Sequence, residues 1–133
     1  MSIEHLNPAD MHRNPAFSQA VAVGPGSKLL FIGGQNGVNA QGVIVAEDLV
    51  AQTRQVFQNL KLVLAEVGGD LSHVVKWTIF VVQGQDPRAG FGVFLEEWGV
   101  SSPPPAISFA FVAGLGVPGA LVEIEAVAAI PIG

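Results

Sequence analysis

The nine residues Val74-Val75-Lys76-Trp77-Thr78-Ile79-Phe80-Val81-Val82 constrain the fold more than any other stretch of this chain. β-Branched and aromatic side chains suit a pleated, half-buried surface, so the run is expected as one long strand. Side chains alternate across a strand, which puts Val75, Trp77, Ile79 and Val81 on one face and Val74, Lys76, Thr78, Phe80 and Val82 on the other. Both sets are largely apolar, so both faces of the sheet need cover. Helical periodicity appears at residues 48–67, where Leu49, Val56, Phe57, Leu60, Val63, Leu64 and Val67 recur at spacings of three, four and seven. Asp48 is the expected cap and Gly68-Gly69 the stop. A second helix is expected from Asp86-Pro87 to about Trp98, with Phe91, Phe94, Leu95 and Trp98 on its apolar side. Two helices cover one face. The other is expected to lie against another subunit's sheet, because so large a bare apolar patch is unusual on a soluble monomer.

Composition points the same way. Only 13% of the 133 residues are charged, against about 25% in ordinary globular chains, so little charge is available to solvate a free monomer. Every apolar stretch is interrupted before the roughly 20 residues that a spanning helix needs, and no membrane partner is expected. Met1 to Arg13 has no apolar core of a secretory signal, which makes a cytoplasmic setting the default expectation. With no Cys there are no disulfides, thiolate nucleophiles or Cys-ligated zinc. A net charge of −5 and six scattered Lys and Arg give no basic stripe, so nucleic acid is not an expected partner. His5, His12 and His73 have no metal-ligand spacing, and no metal is expected.

The remaining strand signals are Ser18 to Val23 and Lys28 to Ile32, expected to form a hairpin across Gly24-Pro25-Gly26, and Ala106 to Val112 and Ala120 to Ile130. Ser101 to Pro105 reads as a rigid loop. With no repeats or linkers, residues 1–133 are expected to form a single α+β domain.

Four segments carry a resemblance to a known family: Phe17-Ser18-Gln19-Ala20, Gly33-Gly34-Gln35, Asn59-Leu60 through Gly68 to Val74-Val75-Lys76, and Glu123-Ile124-Glu125-Ala126. Their order and spacing across residues 14 to 130 resemble the Rid family, also called YjgF or UK114 and often labelled endoribonuclease L-PSP. The resemblance implies a chorismate-mutase-like fold: a six-stranded mixed sheet with two helices on one face, assembled as a homotrimer around a central β-barrel. It also implies small-molecule ligands bound in clefts at the subunit interfaces. The best-known members hydrolyse enamines and imines to 2-keto acids and ammonia without a cofactor. Such chemistry needs an anchor for the substrate, a group that holds water, and a route for protons.

By this resemblance Glu123 is the candidate catalytic residue, and Phe17, Gly34, Gln35, Phe91, Ile107, Ser108 and Phe109 are the candidate ligand-binding residues. The chain departs from the family at the anchor. An Arg follows the family's Pro-Ala pair, but Ile107 follows Pro105-Ala106 here, so the guanidinium that would pair with a carboxylate is missing. Phe17 stands where the family has Tyr, and Phe91 aligns near an Asn. These losses imply a non-standard substrate, neutral or apolar, for an enamine or imine hydrolase. The alternative is a trimer that binds a small molecule or stabilises a partner without turnover. A ribonuclease ranks last.

Each candidate also has a plainer reading. Glu123 is either a functional carboxylate or the partner of a cation such as Lys76, and Glu125, on the same face, is more simply structural. Gln35 can serve a ligand or its own loop. Ser108 has no neighbouring base and no nucleophile-elbow context. The four phenylalanines Phe17, Phe91, Phe94 and Phe109 line a pocket or belong to the core. Arg88, one helical turn before Phe91, either replaces the lost anchor or stays solvated. His73 is expected to cap the incoming strand.

Overall fold

The computed structural model describes residues 2–99 and 103–132. The expected loop at Ser101–Pro105 therefore lies partly outside the described residues. Six strands and two helices follow one another as β1 (Ile3–Leu6), β2 (Ala20–Val23), β3 (Ser27–Gln35), α1 (Leu49–Ala65), β4 (Val74–Val82), α2 (Pro87–Trp98), β5 (Ala106–Val112) and β6 (Val122–Pro131). Among the described residues no helix is long and apolar enough to cross a membrane.

The strands form two sheets, which corrects the expectation of a single six-stranded one. The larger has the order β3-β6-β4-β5 and the smaller is β1 paired with β2. The expected hairpin between β2 and β3 does not form. The ladder of β2 is taken by β1, from Ile3 opposite Val23 to Leu6 opposite Ala20, and β3 is paired instead along β6. Four residues of Ile-Glu-His-Leu alternate too briefly to announce β1 in the sequence. The two sheets meet where Ser18 makes a parallel bridge to Ala106, at the start of β5.

Within the larger sheet, β6 runs antiparallel to both β3 and β4, and β4 runs parallel to β5. A parallel pair needs a crossover, and α2 provides it. Both helices lie on one face. Val56, Phe57, Leu60 and Leu64 of α1 and Val93 and Phe94 of α2 pack with Ile32, Trp77, Val81 and Ile124 in a single buried core. Asp48 caps α1 by accepting from the Ala51 amide at 2.8 Å, and the chain turns out of it at Gly68, whose φ of 69° favours glycine.

A register shift between Val74 and Lys76 places Val74 opposite Ala128 and Lys76 opposite Val127, so β4 carries one residue more than its partner. This bulge corrects the strict alternation read from the sequence. It turns Val74 into the core, where it is buried, and leaves Lys76, Thr78 and Phe80 on the face away from the helices. On that open face Phe31 is 73% exposed and Leu29 47%.

Candidate functional site

The sequence candidates fall into two groups on opposite faces of the larger sheet. The first is built around Glu123. In the ladder Glu123 stands opposite Phe80 and Glu125 opposite Thr78, which places both carboxylates on the open face. A second register shift, between Ile32 and Gln35, occurs at Gly33-Gly34 and brings the β3 backbone against the Glu123 side chain. The approach is so close that a Cβ on Gly34 would sit 2.7 Å from both Cδ and Oε2 of Glu123. Only glycine leaves that room.

Oε1 of Glu123 accepts from Asn36 Nδ2 at 3.3 Å, and the same amide donates to the Val122 carbonyl at 3.1 Å. Asn36 is buried and is itself fixed from α1, because Asn59 Nδ2 donates to the carbonyls of Asn36 at 3.2 Å and Val38 at 3.0 Å. Asn59 therefore positions the turn, the turn positions Asn36, and Asn36 positions one oxygen of the carboxylate. Among the described residues the other oxygen, Oε2, accepts no hydrogen bond. Lys76, the cation considered as a partner for Glu123, instead donates to Ser108 Oγ at 2.6 Å on the same face. Gln35 Nε2 is turned back to the Gly33 carbonyl at 3.1 Å.

The second group lines a groove of about 600 Å³ on the helix-bearing face, between α2, the start of β5 and the segment before β2. Ile107 is level with Trp77 and Phe109 with Ile79, which fixes both side chains on this face. Phe17 is brought beside them by Ser18. The Ser18 amide donates to the Pro105 carbonyl at 3.0 Å, and its buried hydroxyl donates to the Pro104 carbonyl. Phe91 stacks nearly parallel on Phe94, at an interplanar angle of 10°, and remains 52% exposed. Trp98, Leu95, Pro15 and Ala16 complete the apolar wall.

Arg88 stands at the rim of this groove but is committed elsewhere. Its Nε and a terminal nitrogen reach the two carboxylate oxygens of Asp86 at 3.1 Å each, and its amide donates to the same carboxylate at 3.0 Å. Asp86 thus caps α2 and pairs, at an exposed site, with the one guanidinium that lines the groove among the described residues. The Arg88 hydrogen bonds hold the Asp86 carboxyl below its ordinary range.

The structure therefore brings Phe17, Phe91, Ile107 and Phe109 together and gathers Gly34, Asn36 and Glu123 elsewhere. It puts Ser108 with Lys76. His73 caps the short turn Leu71–His73 that leads into β4, its Nδ1 accepting from the Asp70 amide at 3.0 Å. Asn36 was not singled out in the sequence. Its one signal was a position directly after the Gly-Gly-Gln segment.

Comparison with known proteins gives a consistent result. The family model described as Endoribonuclease L-PSP matches residues 10–130. Protein DfrA of Myxococcus xanthus is 41% identical over 115 residues, covering 84% of this chain and 83% of DfrA. The 2-iminobutanoate/2-iminopropanoate deaminase of Capra hircus is 32% identical over 113 residues, 84% of this chain and 78% of the goat protein. Among solved structures, the Rid family protein YyfB of Yersinia pestis, described as of unknown function, superposes with a TM-score of 0.80 at 34% identity. It covers 98% of this chain and all of YyfB.

Proposed function

Because this chain belongs to the endoribonuclease L-PSP family, the group that includes the Rid and YjgF proteins, we propose that it hydrolyses the carbon–nitrogen double bond of a small imine or enamine. The observation that carries this reading is the setting of Glu123. One carboxylate oxygen is held by a buried amide and the other is left to accept from water. An enamine is first protonated on carbon and loses a proton from nitrogen, which gives the imine. Water then adds to the imine carbon while Glu123 takes its proton and returns one to nitrogen. The carbon–nitrogen bond breaks, leaving a carbonyl compound and ammonia. No step calls on a cofactor.

Glu123 and the groove are too far apart to share a substrate within one chain. They lie on opposite faces, and β6 is separated from β5 by β4, so two strand spacings of roughly 5 Å each intervene. A second copy that lays its open face beside the groove supplies the missing half. Phe31 and Leu29, exposed on that face, are the apolar surface such a contact would bury. The resulting assembly is the homotrimer, with its clefts between neighbours.

The test is ammonia release from imines generated in situ, comparing 2-aminoacrylate with neutral imines. Glu123→Gln is expected to lower turnover by about 100-fold or more, the lower end of the range for a positioned acid–base group. Rates equal to buffer for the unaltered protein would count against the hydrolase reading. Sedimentation at micromolar concentration tests the assembly: three chains are expected, and Phe31→Asp should release single ones. A unaltered protein that sediments as one chain would remove the shared cleft.

A further inference from the structure

The groove beside α2 carries chemistry that the hydrolytic reading leaves open, namely what kind of molecule it holds. Its volume of about 600 Å³ falls within the roughly 300–1,000 Å³ of small-molecule sites. Its wall is aromatic and aliphatic, and two of its rings are conspicuously uncovered for an apolar side chain: Phe91 at 52% and Phe109 at 48% exposed. Phe91 is braced on one face by Phe94 and Phe109 edge-on by Phe111, with centroids 5.1 Å apart. Rings held in this way present fixed apolar surfaces without losing further side-chain freedom when a flat group packs on them.

Among the described residues the one cation that lines the groove is Arg88, at its rim. Ile107 contributes only hydrocarbon, and Arg88, largely exposed at the rim, is paired with Asp86 through Nε and one terminal nitrogen. A carboxylate entering here would shed water and meet, in return, only a guanidinium already paired with Asp86 and largely exposed to solvent.

Resting on the hydrolytic reading above, we propose that the groove receives the uncharged, flat apolar body of the substrate, an aromatic ring or its equivalent, and selects against carboxylate-bearing imines. Phe91 and Ile107 are its specificity-determining residues. Phe91 supplies the packing surface, and Ile107 withholds the anion partner.

Phenylacetamide and phenylacetate test this directly, since they are nearly the same shape and differ in charge. Titrated into the full-length protein and followed by ligand-observed NMR, the amide is expected to bind at least tenfold more tightly. Phe91→Asn, at a half-exposed position that the core does not depend on, should weaken the amide at least fivefold with little change in Tm. Ile107→Arg should reverse the order of the two ligands. Equal or tighter binding of phenylacetate to the unaltered protein overturns the proposal, as does failure of the amide to bind. Ammonia release measured on the same samples keeps the two readings apart. Turnover of 2-aminoacrylate through Glu123 alongside tight phenylacetate binding sinks the groove assignment and spares the hydrolase. Amide-selective binding without turnover of any imine sinks the hydrolase and leaves a binding protein with the selectivity described.

Discussion

Alanine at Gly34 and alanine at Gly33 should have very unequal consequences, although the two glycines are adjacent. A Cβ on Gly33 meets nothing within 4 Å, whereas one on Gly34 meets Cδ and Oε2 of Glu123 at 2.7 Å and Cγ at 2.9 Å. Ordinary contacts begin near 3.4 Å, so the carboxylate must retreat by about 0.7 Å in Gly34→Ala. The obstructing atoms are the end of a side chain, not backbone, so the fold can yield. The retreat costs an off-rotamer torsion of about 1 kcal/mol and the Asn36 hydrogen bond, worth about 1 kcal/mol at its length of 3.3 Å. A loss near 2 kcal/mol corresponds to a Tm decrease of roughly 5–10 °C for a domain of this size. Turnover suffers more. Misplacing a catalytic group by 1 Å can cost about 100-fold, so a displacement of this size should remove roughly 30-fold or more. Ammonia release at saturating imine, with thermal unfolding on the same preparations, separates the two effects. Gly33→Ala should stay within about twofold of the unaltered rate, the size of a small surface change. If Gly34→Ala retains full turnover, the close approach of β3 to Glu123 has no part in the chemistry.

Two further perturbations probe the scaffold. Gln52 is fully buried, its amide donating to the carbonyls of Ala46 at 2.9 Å and Gly119 at 3.0 Å while its oxygen accepts from the Leu121 amide at 2.8 Å. Gln52→Leu preserves volume but strands all three backbone groups, so at about 1 kcal/mol each it should cost about 3 kcal/mol in denaturant unfolding; a loss below about 1 kcal/mol would mean water replaces them. Asp86, held low by its hydrogen bonds to Arg88, contributes stability that is present above the ordinary carboxylate pKa of about 3.9 and is lost as pH falls through its lowered value. The Tm difference between the unaltered protein and Asp86→Asn should therefore close on acidification, and a difference that persists at about pH 2 would show that charge is not its source.

What the sequence disclosed followed from periodicity. The 3.6-residue repeat placed both helices within a few residues of their ends, and the long apolar run gave β4 its full extent. The same period of two put Glu123 and Glu125 on one face. It failed where a bulge intervened, because an inserted residue such as Val75 reverses the alternation and leaves no compositional trace. Strand pairing was also hidden. Gly24-Pro25-Gly26 looks like a hairpin turn, yet the partner of each strand is decided by edges contributed by distant residues, Ile3–Leu6 for β2 and Val122–Pro131 for β3. The site was legible in part. Glu123, Gly34 and the departure at Ile107 followed from the resemblance. Asn36 was not legible, since its contact with Glu123 exists only after the Gly33-Gly34 bulge has brought the turn across β6.

The supports of the two halves of the site are separate. Glu123 is held through Asn36 and Asn59, so its position depends on α1 and on the turn after β3. The groove is held through Ser18, the proline carbonyls before β5 and the capped start of α2. Neither set of hydrogen bonds shares a residue with the other. Side chains of the groove such as Phe17, Phe91 and Ile107 can therefore change without breaking the hydrogen bonds that hold the carboxylate. That independence makes the setting of Glu123 compatible with a hydrocarbon side chain at Ile107. The carboxylate does not report which molecule is bound, and the groove does not report what is done to it. In the proposed reaction, an assembly that joins one chain's Glu123 to another's groove would couple the two, so association of the chains is a requirement of that proposal.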